Sequence, residues 1–206
     1  MVVSALTIKP CEEPDLLTVE GDVAAPATAG RIVGAALGRF GRVDSLVNNS
    51  GVFSSKPFTD YTAADYTLVT GVSLAGFFWL TQCAIAEMAT RYGGHVVNIS
   101  ATVAEVANSH APTVLAALAN GGLAAATRSL AVEYASRGIR VNAVSAGIIQ
   151  PPMHPARCYG APGDRLPRPG RVAQVSDVVD GVLFMESSPY ITGEILHVDG
   201  GQTAGH

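Results

Sequence analysis

The sequence predicts an α/β fold in which a single layer of parallel strands lies between helices, the doubly wound arrangement. Short apolar runs typical of buried strands alternate with longer stretches of helical period along the whole chain. Strands separated by helices connect through crossovers and therefore run parallel, with helices on both faces of the sheet. With 206 residues, of which 48% are hydrophobic, the chain is long enough to form one domain with a substantial core over residues 1–206.

Proline and glycine mark several of the predicted element boundaries. A helix begins near Pro26, a residue favoured in a first helical turn, and ends before Gly41. Gly138 likewise ends a helix before an apolar strand. In chain order we predict strands at residues 2–6 and 16–20, a helix at 26–40, a strand at 44–48, a long helical region at 63–92, a strand at 95–100, a helix at 116–136, a strand at 139–145, a mobile proline- and glycine-rich loop at 150–171, a helix at 176–186 and a strand at 194–198.

Composition and charge exclude several classes of function. The net charge is −4 and lysine and arginine form no cluster, which argues against nucleic acid or an anionic membrane as a partner. The three cysteines, Cys11, Cys83 and Cys158, are scattered without metal-ligand spacing, so we expect reduced thiols and no metal site. The first residues lack the basic and apolar regions of a signal peptide. These features predict a cytoplasmic protein.

One uncharged stretch is long enough to cross a bilayer. Residues 66–86 contain no charged side chain. They nevertheless include several polar side chains, and Asp65 and Glu87 bracket the stretch. We therefore favour a buried or interface helix over a membrane span.

Five stretches, taken in order along the chain, resemble the short-chain dehydrogenase/reductase family. They are Gly21-Asp22-Val23 after a strand, Asn48-Asn49-Ser50-Gly51 at the end of another, the strand at residues 94–100, the helix and strand at 127–144, and the final strand at 193–201. The family has a Rossmann-like, doubly wound fold. The resemblance therefore implies the same α/β architecture that the alternation of elements predicts.

The resemblance also implies NAD or NADP as cofactor. The positions that match the family's cofactor-binding residues are Asp22, Val23, Asn48, Ser50, Gly51, Gly147 and Ile149. A carboxylate can accept from an adenine amine, and a glycine lets the backbone approach a ribose. Other roles stay open from the residues alone: Asp22 could simply begin a loop, and Asn48 with Asn49 could bridge strands.

The reactive groups that the family uses are replaced at the matching positions. Counted back without a gap from Arg137-Gly138, the tyrosine that transfers a proton falls on Ala116, and the lysine that lowers its pKa falls on Asn120. The serine falls on Ala101, or on Thr102 if the following loop shifts it. The asparagine of the proton relay falls on Ser73. No catalytic residue can therefore be named from the family's pattern.

The first part of the family's fold also has no counterpart here. The family opens with a strand and a Gly-x-x-x-Gly-x-Gly turn, which leads into a helix whose N-terminus holds the pyrophosphate. Residues 2–6 align best with the family's second strand instead, so we expect the first strand and helix to be lacking. Binding of NAD or NADP is doubtful without that turn.

Three functions stay open. The first is an NAD(P)-linked oxidoreductase homologue for a small carbonyl or hydroxyl compound, weak or inactive as this chain. The second is a non-catalytic member that acts by association, and the third is a non-redox lyase or isomerase.

His110 could substitute as an acid–base group, although a polar loop residue is the plainer interpretation. The uncharged helix and the alanine-rich helix after it are similar to the pair that builds family dimers, so we expect a homodimer or homotetramer.

Overall fold

A computed structural model describes residues 1–11, 13–91, 93–107, 111–150 and 171–205. The described strands are β1 (Val2–Ala5), β2 (Leu17–Glu20), β3 (Ser45–Asn48), β4 (Gly94–Ala101), β5 (Ile139–Ala146), β6 (Ile149–Gln150), β7 (Ala173–Gln174) and β8 (Ile195–Val198). The described α-helices are α1 (Pro26–Phe40), α2 (Ala63–Thr70), α3 (Gly76–Ala89), α4 (Val114–Tyr134) and α5 (Val175–Ser187).

Every strand pair is parallel, as the alternation of strands and helices predicts. The main sheet has the order β3-β4-β5-β8, and β1 and β2 pair with each other in a separate two-stranded sheet. Helix α3 packs against β3, β4 and β5, whereas α5 packs against β4, β5 and β8. The predicted α/β class with helices around a parallel sheet is confirmed.

Local sequence explains where α1 begins and ends. Pro26 occupies its first turn, and Gly41 closes it in the left-handed conformation with φ 73° and an N–H bonded to the Leu37 carbonyl. The buried residues Ile32 and Val33 lie on its inner face. The helix packs against β1, β2 and α3.

The predicted long helical region is present, and its helix runs from Ala63 to Ala89 with a single change of winding. Thr62 caps α2: its hydroxyl accepts from the Asp65 amide, and the Asp65 carboxylate accepts from the Thr62 amide. A π-helical turn, Gly71–Ala75, separates α2 from α3. A Cβ on Gly76 would lie 2.9 Å from Cγ2 of Val23, so the close approach of these two segments depends on glycine. Wider turns of this kind often mark functional sites.

The core lies between the main sheet and the layer of α3 and α4. Its centre consists of side chains exposed by 2% or less, among them Met88, Val96, Ala131 and Val141. The helical stretches Ala63–Ala89 and Val114–Arg137 are long and apolar enough to cross a membrane by length and composition alone, a property shared with the core helices of soluble proteins. Both contribute buried residues to this core.

Some element boundaries differ from the predicted ones. Helix α4 begins at Val114, two residues before the predicted start, and its predicted end forms a short 3₁₀ turn, Ala135–Arg137, that Gly138 closes with φ 70°. The short strands β6 and β7 pair at the two ends of the predicted mobile loop. Residues 151–170 of that loop lie outside the described residues.

Candidate active site

The carboxyl ends of β3, β4, β5 and β8 meet at one edge of the main sheet, because all four strands are parallel. Ligands of open α/β sheets bind at this edge. Most of the sequence-predicted site residues lie here. Their contacts determine what the edge can bind and what chemistry it can perform.

A buried network of side-chain amides and hydroxyls supports this edge. Asn48 Nδ2 donates to Asn98 Oδ1 and to Thr81 Oγ1, both at 2.9 Å, and Asn98 Nδ2 donates to Thr127 Oγ1 at 2.9 Å. The Thr127 hydroxyl in turn donates to the Leu123 carbonyl at 2.8 Å. The network joins β3, β4, α3 and α4. Asn48 therefore bridges elements, which is the structural role left open for it.

The chain after β3 passes close to the π-helical turn. Ser50 and Gly51 are exposed, and a Cβ on Gly51 would meet one atom of the described residues within 4 Å, Ser73 Oγ at 3.8 Å. Ser73 is 7% exposed, and its hydroxyl accepts from the Val52 amide at 3.3 Å. Open space beside Gly51 suits a ligand that approaches the backbone, while Ser73 fixes the loop.

The turn of α4 that faces β4 holds the two positions matched to the family's tyrosine and lysine. Asn120 Nδ2 donates to the Ala116 carbonyl at 2.9 Å, so the two residues lie one helical turn apart as predicted. Ser100 Oγ donates to Asn120 Oδ1 at 3.3 Å. Ala116 is only 1% exposed, whereas Ala101 is half-buried and Thr102 is buried. Neither alanine nor asparagine can exchange a proton at neutral pH.

Gly147 follows β5 and packs tightly under the segment after β8. Its amide donates to the Val198 carbonyl at 3.0 Å. A Cβ there would lie 2.4 Å from Gln202 Oε1 and 2.7 Å from the Asp199 Cα. Burial raises the pKa of Asp199, but hydrogen bonds from Thr203 and Gly201 outweigh it and hold that pKa below its usual value. Ile149, two residues on, begins β6.

Asp22 and Val23 lie at the other end of the candidate cofactor region, just after β2. Asp22 is exposed, and its carboxylate accepts from the Ala24 amide at 2.9 Å. One of its oxygens therefore orders the turn that leads into α1. The exposed carboxylate can still accept from a ligand amine.

The pair formed by Glu105 and His197 was not identified from the sequence. His197 Nε2 lies 2.9 and 3.0 Å from the two carboxylate oxygens of Glu105. Glu105 lies in the turn after β4, and His197 lies in β8, 92 positions further along the chain. No local motif therefore indicates their contact. His110, the predicted substitute acid–base group, lies outside the described residues.

The family model described as "Enoyl-(Acyl carrier protein) reductase" matches residues 5–203, nearly the whole chain. The chain belongs to the short-chain dehydrogenase/reductase family. A 3-oxoacyl-(acyl-carrier-protein) reductase of Thermotoga maritima is 34% identical over 168 residues, which cover 79% of this chain and 67% of the relative. A cis-4-hydroxycyclohexanecarboxylate dehydrogenase of Sinomonas cyclohexanicum is 34% identical over 194 residues, with 91% and 77% covered.

Two solved structures with bound NADP superpose on the chain. A gluconate 5-dehydrogenase of Burkholderia cenocepacia, in complex with NADP and tartrate, gives a TM-score of 0.84 at 26% identity and covers 93% of this chain and 76% of that one. ElxO with NADP bound gives 0.81 at 25% identity, with 92% and 79% covered. The predicted family and fold are confirmed, and NAD or NADP is the cofactor of this family.

The described residues fit the two ends of such a cofactor better than its centre. Exposed Asp22 suits an adenine amine, and the open space beside Gly51 suits a ribose. The diphosphate between them normally requires a glycine-rich turn that leads into a helix N-terminus. The sequence contains no Gly-x-x-x-Gly-x-Gly turn. The described part of the chain also holds no cluster of three metal-ligating side chains.

Proposed function

We propose that this chain is a short-chain dehydrogenase/reductase homologue for a small carbonyl or hydroxyl compound, with hydride-transfer activity that is weak or absent in residues 1–206. The proposal further assigns the positions Asp22, Val23, Asn48, Ser50, Gly51, Gly147 and Ile149 to the cofactor region. It places Ser73, Ala101, Ala116 and Asn120 at the matches of the family's catalytic residues. The edge of the sheet at which the carboxyl ends of the strands meet is retained, whereas the side chains that would transfer protons are replaced.

The environment of Ala116 and Asn120 carries the proposal. Ala116 is 1% exposed, and both ends of the Asn120 amide are engaged, with the Ala116 carbonyl and with Ser100. A proton donor to a developing alkoxide must reach the reacting oxygen and must titrate near the working pH. Neither residue meets these conditions. Among the described residues, no strand joins the sheet of β1 and β2 to the main sheet, which supports the cofactor part of the proposal, that residues 1–206 bind NAD or NADP weakly or not at all.

Calorimetric titration of the 206-residue chain with NADPH and with NADH tests the proposal. We expect weak or undetectable heat for both, because two negative phosphates need helix-end amides or cations that the described residues do not assemble. A parallel assay with a generic ketone should show no oxidation of NADPH above the protein-free rate. Asp22→Asn is the matched control, since any residual binding through adenine should weaken further in this variant.

Saturable micromolar binding by the unmodified chain would contradict the cofactor part of the proposal. Robust turnover would contradict the catalytic part, because it would require a proton donor other than Ala116 and Asn120. The two results are independent. A chain that binds NADPH without turnover would retain the catalytic part alone.

A specific observation favours the second function, action by association in the cytoplasm. Helices α2, α3 and α4 carry exposed large apolar side chains: Tyr66, Leu68, Phe78, Leu118 and Val132 are 52–81% exposed. Apolar surface of this extent on neighbouring helices is typical of a protein–protein interface. We propose a homodimer or homotetramer built through these helices.

A further inference from the structure

A group of polar side chains lies under the C-terminal end of α5, at the amino ends of the strands and therefore away from the candidate active site. Ser45, His95 and Arg140 occupy neighbouring positions of β3, β4 and β5. His95 is only 2% exposed. Its Nδ1 lies 2.5 Å from Glu186 Oε2, and Ser45 Oγ donates to the other oxygen of that carboxylate at 2.5 Å. These side chains therefore join three strands to the last turns of α5.

The end of α5 is held mainly by Arg140. Its guanidinium donates to the carbonyls of Met185 at 2.9 Å, Ile191 at 3.0 Å and Glu186 at 3.1 Å. The last carbonyls of a helix have no partner within the helix, so a cationic donor stabilises them. Asn142 Nδ2 adds a bond to the Ile191 carbonyl at 2.9 Å. Two side chains of β5 thus fix both the end of α5 and the turn after it.

Arg140 and Asn142 also donate to His95. Nε2 of the imidazole lies 3.0 Å from Asn142 Nδ2 and 3.3 Å from Arg140 NH1. A ring nitrogen accepts a hydrogen bond only while it carries no proton. Asn142 cannot turn its oxygen toward the ring without losing the bond that Oδ1 accepts from the Glu194 amide at 3.0 Å. A proton on Nε2 would therefore face two N–H donors, one of which is a cation.

The surroundings of His95 make this proton uptake favour an open form of the chain. Burial has the largest effect on the pKa of His95 and lowers it, the hydrogen bond with Glu186 of α5 opposes burial, and the charge of Arg140 on β5 lowers the pKa further. From β3, the neutral hydroxyl of Ser45 contacts the same carboxylate. In a form with α5 lifted from the sheet, water reaches the ring and its pKa returns toward about 6.5. Below that pH, protons therefore stabilise the lifted form.

Two fully buried methionines report on the two faces of the sheet. Met185 lies in the last turns of α5 and is 0% exposed. Met88 of α3 is also 0% exposed and packs with Val96. Side chains alternate along a strand, so Val96 and its neighbour His95 point to opposite faces of β4. Lifting the end of α5 would therefore uncover Met185 and leave Met88 covered.

We propose that this group is a proton-sensitive anchor, through which mild acid releases the C-terminal half of α5 while the rest of the fold stays closed. The anchor cluster consists of Ser45, His95, Arg140, Asn142 and Glu186. His95 takes up the proton, and the repulsion acts on the helix through Arg140. Neither cofactor nor substrate enters this step.

The N-terminal half of α5 has ties of its own, which makes a local release possible. Gln174 and Asp177 form a capping box at the start of the helix, and Arg171 NH1 donates to Asp177 Oδ2 at 2.7 Å. Gly181 lies between this end and the anchor cluster, and glycine weakens a helix interior. The helix can therefore open from its C-terminal end as a unit of lower stability than the core.

Oxidation by hydrogen peroxide measures the release on the full chain. Methionine sulfoxide forms where the oxidant reaches the thioether, and peptide mass spectrometry resolves Met185 from Met88. Each rate is divided by the rate of the same methionine in the denatured chain at the same pH. From pH 7.5 to pH 5.5 the normalised rate at Met185 should rise by about five- to tenfold, because one pH unit below 6.5 favours the open form by up to about tenfold. The rate at Met88 should not change.

Three variants separate titration from packing. His95→Gln keeps an acceptor that does not take up a proton, so the rate at Met185 should be the same at both pH values. Glu186→Gln removes the carboxylate that favours the charged ring, so the rise at pH 5.5 should become smaller, with the rate at pH 7.5 kept within about twofold. Asp180→Asn removes an exposed carboxylate from the same helix and should keep the full rise.

Every other outcome overturns the anchor. An equal rise at Met185 and Met88 would show opening of the whole fold, and no rise at Met185 would show that the end of α5 stays in place. A full rise in His95→Gln would assign the proton to another group. If His95→Gln is oxidised rapidly at both methionines at pH 7.5, it is unfolded, and the comparison of Glu186→Gln with Asp180→Asn decides: equal rises in these two variants would reject the proposal.

Discussion

His95 is buried in β4, with its ring between Glu186 on one side and two N–H donors on the other. Nε2 lies 3.0 Å from Asn142 Nδ2 and 3.3 Å from Arg140 NH1, so Nε2 must act as the acceptor. The orientation of Asn142 is fixed, because its Oδ1 accepts from the Glu194 amide at 3.0 Å. Nδ1 therefore carries the proton and donates to Glu186 Oε2 at 2.5 Å. The geometry thus defines a neutral imidazole.

This geometry predicts a loss of stability on mild acidification. Burial lowers the pKa of His95 below 6.5, and the hydrogen bond with Glu186 only partly opposes this effect. The unfolded chain then binds a proton at His95 more readily than the folded chain does. The contribution of neutral His95 to the free energy of unfolding is therefore complete above pH about 6.5 and is lost as the pH falls toward the lower pKa of the folded state. Each pKa unit corresponds to about 1.4 kcal/mol of unfolding free energy.

Denaturant unfolding at pH 7.5 and pH 5.5 measures this effect. The free energy of unfolding of the unmodified chain should fall between the two pH values, and His95→Gln should lose that part of the fall. Equal slopes for the unmodified chain and His95→Gln would refute the assignment. The pKa of Glu186 is also lowered, but its effect on the free energy of unfolding falls in a separate pH range, below the usual pKa of 4.5.

At the scale of single residues, sequence and structure agree where the signal is local. Pro26 and Gly41 predict both ends of α1. The one-turn spacing of Ala116 and Asn120 follows from helical geometry alone. The Glu105–His197 contact and the burial of Ala116 depend on how distant segments pack, and no local pattern encodes them.

At the scale of elements, glycine has opposite roles in α1 and after β5. Gly34 lies inside α1, and a Cβ there would meet no atom of the described residues within 4 Å. A Cβ on Gly147 would meet Gln202 Oε1 at 2.4 Å and the Asp199 backbone at 2.7 Å. The first position has room for a side chain, whereas the second holds two segments at a distance that only glycine allows. The π-helical turn at Gly71–Ala75 lies inside the predicted helical region, and no local pattern in the sequence distinguishes it from α-helix.

Matched alanine substitutions test this contrast. Gly34→Ala should raise the free energy of unfolding by about 0.5–1 kcal/mol, because alanine loses less backbone entropy in a helix. Gly147→Ala should lower it by roughly 1–3 kcal/mol, because backbone atoms of the next segment must move. Denaturant midpoints at neutral pH give both values. A shift of the same sign in the two variants would contradict the packing described at Gly147.

At the scale of the whole molecule, the uncovered apolar surface lies mainly on helices. Leu68 of α2, Phe78 of α3 and Leu118 of α4 are 54%, 52% and 60% exposed. Helix α4 packs against α2 and against the π-helical turn before α3, so these side chains belong to neighbouring elements. A two-fold axis through this surface would bury the same residues on both copies.

Light scattering should therefore show a dimer or tetramer at micromolar concentration. Phe78→Asp should shift the mass toward the monomer, because a buried charge would lack a partner at the interface. Leu6→Asp introduces the same charge at a site 69% exposed and outside the helices, and should leave the mass unchanged. A stable monomer at high concentration for the unmodified chain would rule this interface out.

The amide and hydroxyl network of Asn48, Asn98, Thr81 and Thr127 has a consequence for how this chain can change over time. Its hydrogen bonds connect two strands and two helices, and they involve neither Ala101 nor Ala116. Substitutions at Ala101 and Ala116 therefore leave this network intact, so the architecture does not depend on the side chains at these two positions. The side chains that form this network and those at Ala101 and Ala116 are different, so either set can change without the other.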